Sequence, residues 1–161
     1  MDTDAAFVKA ALNSWNSNLN AIDALFASFS DEGLNVEIAP GKNRLIYLMG
    51  HLAAVHDRML PLLGFGERAH AELDAPFLSA KDREAATPST AEVRRVWGEI
   101  NATLNSAMAA LPAADWLQKH TTVSDEDFAK EPHRNRYSVL LSRTNHLWYH
   151  YGQMVLAPKA T

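Results

Sequence analysis

The chain has 161 residues, 47% hydrophobic and 21% charged, which suits one globular domain with its own core and excludes a disordered polymer. Its formal net charge of -4, with no basic cluster denser than Arg94-Arg95, argues against a nucleic-acid surface, because neutralising phosphates takes grouped Lys and Arg. Cysteine is absent, which excludes disulfides, thiolate nucleophiles and cysteine-based zinc sites, so a metal here must be held by imidazole, carboxylate or water. Met1-Asp2-Thr3-Asp4 has no basic region ahead of an apolar stretch, so no signal peptide is expected. No apolar run approaches the roughly 18 residues of a membrane span, and the expected compartment is the cytoplasm.

Apolar residues recur at helical spacing in four segments. Over 4–29, Val8, Leu12, Trp15, Leu19, Ile22, Phe26 and Phe29 alternate gaps of four and three, which puts them on one face of a helix ending at Ser30-Asp31-Glu32-Gly33. Ile38-Ala39-Pro40-Gly41-Lys42 reads as a turn, and Asn43 as the N-cap of a second helix running to Leu63 and Gly64. Residues 65–88 keep no period and contain Pro76 and Pro88. Ser89 followed by Glu92 reads as a capping box for a third helix, which carries Val93, Val96, Trp97, Ile100, Leu104, Met108 and Leu111 and stops at Pro112. Residues 113–135 are again irregular, and a fourth helix is expected from about Asn135 to Leu156. Nothing alternates as a strand does, and there is no internal repeat. The expected class is therefore all-α, a helical bundle in one domain over 1–161. Its two long connections exceed the loops of most compact bundles and suit lids or crossovers.

The seven histidines are His51, His56, His70, His120, His133, His146 and His150. His146 and His150 differ by about 40° around a helix, with Arg143 and Gln153 on the same face. The rest of that helix is apolar over an arc wider than the ~100° that one core contact needs. The pair reads either as the wet edge of an amphipathic helix or as two metal ligands. A solvated edge is usually built from Lys, Glu and Arg, yet no formally charged residue lies between Arg143 and Lys159. Imidazole is instead a good ligand for zinc, nickel, iron or copper. Two ligands hold a metal poorly, so a third is sought on the second helix. His51 and His56 there lie about 140° apart and do not easily serve one site together. The helical wheel leans towards burying His56 and leaves the choice of ligand open. A zincin protease is removed as a reading, since Leu147 stands where His-Glu-x-x-His carries its glutamate.

Two stretches then become informative together: Ala39-Pro40-Gly41-Lys42-Asn43-Arg44-Leu45-Ile46-Tyr47-Leu48-Met49-Gly50-His51-Leu52 and His146-Leu147-Trp148-Tyr149-His150-Tyr151-Gly152-Gln153. With the order and sizes of the four helices, they resemble the DinB/YfiT-like superfamily over nearly the whole chain. The resemblance implies an up-down-down-up four-helix bundle with a divalent metal held by three histidines, by position His51, His146 and His150. His56 has no counterpart and is assigned to packing or to a supporting hydrogen bond. The implied ion is zinc, nickel, iron or manganese, with zinc or nickel first. The superfamily includes transferases that use low-molecular-weight thiols and thiol-dependent isomerases, which implies a small-molecule substrate and a thiol as possible co-substrate.

Three histidines leave coordination positions open, as a catalytic site requires. No residue is designated catalytic; Gln153, Arg143 and Tyr47 are candidate helpers. The expected function is that of a metal-dependent enzyme, a transferase or hydrolase. The alternative is a non-catalytic dimeric helical protein that binds a metal or ligand, because Trp148 and Tyr149 on the broad apolar arc suit a homodimer interface. Neither nucleic acid nor membrane is an expected partner.

Overall fold

The four periodic segments fold as four long helices in a computed structural model that describes residues 3–158: α1 (Thr3–Ala27), α2 (Leu45–Leu63), α3 (Thr90–Ala110) and α6 (Arg136–Met154). Met1, Asp2 and Lys159, used above in reading the chain's ends, lie outside the described residues. Among those described there is no strand, only isolated bridges between Glu37 and Arg44 and between Lys119 and Asn135. The connection read as irregular over 113–135 contains two short helices, α4 (Ala113–Trp116) and α5 (Asp125–Lys130). Neither is long enough to show a period, and α4 owes its place to Trp116, which is fully buried. Residues 65–88 hold one turn of 3-10 helix and one of π-helix.

The apolar stripes bury as spaced. Val8, Trp15, Leu19, Ile22 and Phe26 of α1 join Val93, Val96, Trp97, Ile100 and Leu104 of α3 in a core shared with α2 and α6. Polar bonds fix the register. Trp15 Nε1 donates to Asn105 Oδ1 (2.9 Å), Trp97 Nε1 to Asp23 Oδ1 (2.7 Å) and Arg94 to the carbonyls of Phe26 and Phe29, so numbers rise along α1 as they fall along α3. Across α2 and α6 the order is likewise opposed: His51 meets His146, while Gly64 lies beside Arg136. Asn18 of α1 donates to the carbonyl of Thr144 on α6 (3.2 Å).

Two helix starts carry side-chain caps, of which Ser89 was read from the sequence. Ser89 Oγ accepts from Glu92 N–H, though the Glu92 carboxylate pairs with Arg95 and does not complete the box. Asn135 Oδ1 accepts from Ser138 N–H (2.8 Å). The start of α2 is a correction. Its N-cap is Arg44, not Asn43, and no side chain at that position caps it. Asp82, from the distant 65–88 connection, takes the Arg44 backbone N–H (2.8 Å) and grips its guanidinium (2.7 Å). A tertiary carboxylate thus fixes the N-cap residue where no local side chain does.

The same connection is tied down further along α2. Asp57 is fully buried and accepts from Ala69 N–H (2.9 Å), His70 N–H (3.1 Å) and Arg68 Nε (2.8 Å). Arg68 then holds Asp74 through two bonds of 2.7 Å, keeping that carboxyl at about 2. Replacing Asp57 by Ala leaves two backbone N–H groups and one edge of a guanidinium without their acceptor, at a cost of about 3 kcal/mol. Urea unfolding of Asp57→Ala should show a lower midpoint at unchanged slope; a midpoint equal to that of the wild type would show that this carboxylate does not secure the connection.

Candidate metal centre

His51, in the second turn of α2, is brought against His146 and His150 on α6, so the three histidines singled out above do meet. His146 Nε2 lies 3.3 Å from His51 Nε2 and 3.0 Å from His150 Nε2, and one ring nitrogen from each of the three falls within 4.8 Å of the others. Nitrogens bound at about 2.0–2.1 Å to one ion sit about 2.9–3.4 Å apart for octahedral or tetrahedral angles. The two measured separations fall in that window.

The outer ring nitrogens explain why the inner ones converge. His51 Nδ1–H donates to the Phe77 carbonyl (3.1 Å), and His150 Nδ1–H donates to Gln153 Oε1 (2.9 Å). With both protons facing outward, the Nε2 lone pairs of these two rings face inward, as ligation requires. His146 Nδ1 is buried without a partner. A proton on its Nε2 can serve only one of the two facing lone pairs, whereas a cation serves all three. The donor set is borderline-soft nitrogen, suited to zinc, nickel or iron. The triad is thus able to hold a metal ion.

Burial enforces the neutral state that ligation needs. His150 is 8% exposed, and His51 and His146 are partly shielded. Desolvation, with repulsion from neighbouring charge, brings His146 and His150 down to about 4, and burial also lowers His51 against the opposing pull of the Phe77 carbonyl. Gly50 gives the close approach: a Cβ there would collide with the Phe77 ring, whose carbonyl orients His51. Without a side chain at 50, the 75–79 turn settles onto α2.

The other candidates divide. Gln153 is engaged at the site through His150. Tyr47, one turn before His51, donates its hydroxyl to the Ala80 carbonyl (2.8 Å), and burial with nearby Asp82 and Glu84 raises its pKa, so it fastens the connection. Arg143 lies on the histidine stripe but bonds to none of the three rings. His70 and His120 stand away from the triad, His70 beside Glu72 and His120 beside Thr122. Two contributors were not singled out from the sequence. The Phe77 carbonyl leaves no signal there, being backbone. Asn101 was detectable only as a polar residue inside the α3 stripe of Trp97, Ile100 and Leu104.

His56 is fully buried between the rings of Trp15 (4.9 Å) and Trp97 (5.2 Å), with Nδ1 2.7 Å from Asn101 Oδ1. It packs the core behind the triad, as assigned. Burial holds it down to about 3. The unfolded chain takes up this proton near 6.5, the folded protein only near 3, so stability is full above about 6.5 and is lost as the pH falls towards 3. The slope for one such proton approaches about 1.4 kcal/mol per pH unit. Urea melts of metal-free protein between pH 7 and 4.5 should show the decline, made shallower by His56→Gln. Stability independent of pH over that range would contradict the burial of a neutral His56.

Comparison with known proteins gives the family. Among curated proteins none matches the chain significantly. The family model described as the DinB superfamily matches residues 15–154, a span that runs from Trp15 through all three triad histidines to the end of α6. The chain belongs to the DinB superfamily.

Proposed function

We propose that this protein is a divalent-metal-dependent enzyme, a thiol-using transferase or a hydrolase, acting on a small molecule in the cytoplasm with His51, His146 and His150 as the ligands. The observation that carries the reading is the convergence of three Nε2 atoms, two of them on rings whose Nδ1 protons are held outward by Phe77 and Gln153. Zinc or nickel is the first expectation for an all-imidazole set, followed by iron and manganese. When bound, the ion supplies Lewis acidity and lowers the pKa of water or a thiol at its open positions.

The chain's own residues supply the rest. Burial keeps the imidazoles unprotonated, and the outward bonds fix the two ring orientations. A bundle running up-down-down-up in one domain over 1–161 is part of the proposal. The opposed registers of α1 with α3 and of α2 with α6 support it. No described helix is long and apolar enough to cross a membrane. A cavity of about 600 Å³ walled by Val36, Ile38, Pro40 and Leu156 is not favoured as the site, because among the described residues its one acid, Glu37, is already bonded to Arg83 and Gly41.

Elemental analysis of purified protein tests the ligands. Near-stoichiometric metal is expected in the wild type, with His146→Ala and His150→Ala each losing most of it and the helical signal retained. Full occupancy in the double variant would overturn the assignment.

A second reading, a dimeric binding protein, draws on one observation. Leu141, Trp148 and Val155 recur every seven residues on the outer face of α6 and stay exposed, with Tyr149 at 64% and Leu156 at 75% beside them. Such a stripe suits a matching face on a second copy. Sedimentation should then give a dimer that Trp148→Glu converts to a monomer; a monomeric wild type at high concentration would remove the homodimer from either reading.

A further inference from the structure

Arginines in this protein come with partners. Each of the others has a carboxylate within hydrogen-bonding distance, or for Arg136 the Asp115 carbonyl. Arg143 is the exception. Among the described residues its side chain makes no ion pair and no hydrogen bond, and its Nε is buried without an acceptor. Burial alone acts on it, lowering its pKa, and no carboxylate offsets that effect. A half-buried guanidinium without a counter-charge is costly, since desolvation is uncompensated. It is a feature that a bound anion would relieve.

The surroundings have the right chemistry. Arg143 lines a cavity of about 310 Å³ between the end of α2 and the first turns of α6. Ser138, Ser142, His120 and His133 contribute hydrogen-bonding groups to the wall and Leu62 an apolar side. Among the described residues no carboxylate lines it. It lies along the first three turns of the 19-residue α6, from the N-cap Asn135 to Arg143. The volume suits a small ligand and the concave form does not suit a nucleic-acid backbone. Arg143 is three residues from His146, about 4.5 Å of helical rise along α6, and its charge acts on that ring.

We propose that this cavity binds the carboxylate or phosphate group of a small molecule, with Arg143 as its counter-ion. That the molecule is the substrate of the metal centre rests on the function proposed above; the anion site itself does not.

The test uses the full chain freed of metal by EDTA, titrated separately with benzoate and with inorganic phosphate. Binding is followed by calorimetry and by the Arg143 Nε–H signal in nitrogen-15 NMR. Saturable one-to-one binding of at least one anion is expected, with the Arg143 signal shifting at saturation. Affinity should fall about tenfold or more in Arg143→Gln and recover in part in Arg143→Lys. The benzoate and phosphate arms distinguish a carboxylate site from a phosphate site. His146→Ala should lose metal yet keep anion binding, so the two readings fail separately. Absence of saturable binding by both anions, or equal binding by Arg143→Gln, overturns the proposal. Should Arg143→Gln not fold, an Arg143 signal unmoved at anion saturation in the wild type overturns it equally.

Discussion

Three imidazoles held within hydrogen-bonding distance inside a helical bundle impose the constraint on which the rest of the site depends. None can easily be charged, because burial and its neighbours oppose each proton. Neutral rings crowded Nε2 to Nε2 leave more lone pairs than protons at the centre. A ring's lone pair is held inward when its Nδ1 proton has an acceptor outside. Phe77 and Gln153 meet the requirement for two rings from opposite directions, one by a backbone carbonyl from a connection and one by a side chain a turn along α6.

This makes the long 65–88 connection part of the site, although it contributes no ligand. Its hold on α2 is polar at three levels: Asp82 on Arg44 at the start of the helix, Ala80 on Tyr47 one turn before His51, and Asp57 on Arg68 beyond it. Between these ties Phe77 is pressed onto Gly50. A side chain at 50 would push the turn outward and withdraw the acceptor that orients His51. The buried charge of this protein is thus concentrated where a loop must be held in place, which is where an uncompensated carboxylate would be most costly.

The long helices were legible because each buries a face wider than chance and their spacing of three and four is unambiguous. The i, i+4 pair on α6 was legible for the same reason. His51 and His56 were not separable by periodicity, since both lie at or inside the buried arc of α2. What separates them is the opposing surface. His56 faces Trp15, Trp97 and Asn101, an aromatic slot with one polar partner, while His51 faces the rings of α6. Only the motif shared with the superfamily pointed to His51 in advance. The Asn43 cap failed because the helix starts one residue later, at Arg44, which is held by Asp82, 38 residues beyond it, and such a long-range tie leaves no local trace. The short helices α4 and α5 escaped because neither spans two turns of pattern.

The stripe Arg143, His146, His150 and Gln153 was first readable as the wet edge of an amphipathic helix. Its composition explains why it is not one. A solvated edge would mix acids with bases, and an acid there would have two effects. It would neutralise Arg143, and it would raise the pKa of the adjacent imidazoles towards protonation. With none on α6 after its start, the rings remain neutral and the guanidinium remains unpaired. The same omission therefore prepares the upper part of the stripe for a cation and the lower part for an anion. A ligand carrying a metal-binding group at one end and an oxyanion at the other would satisfy both, and both demands arise from the charge pattern of a single helix.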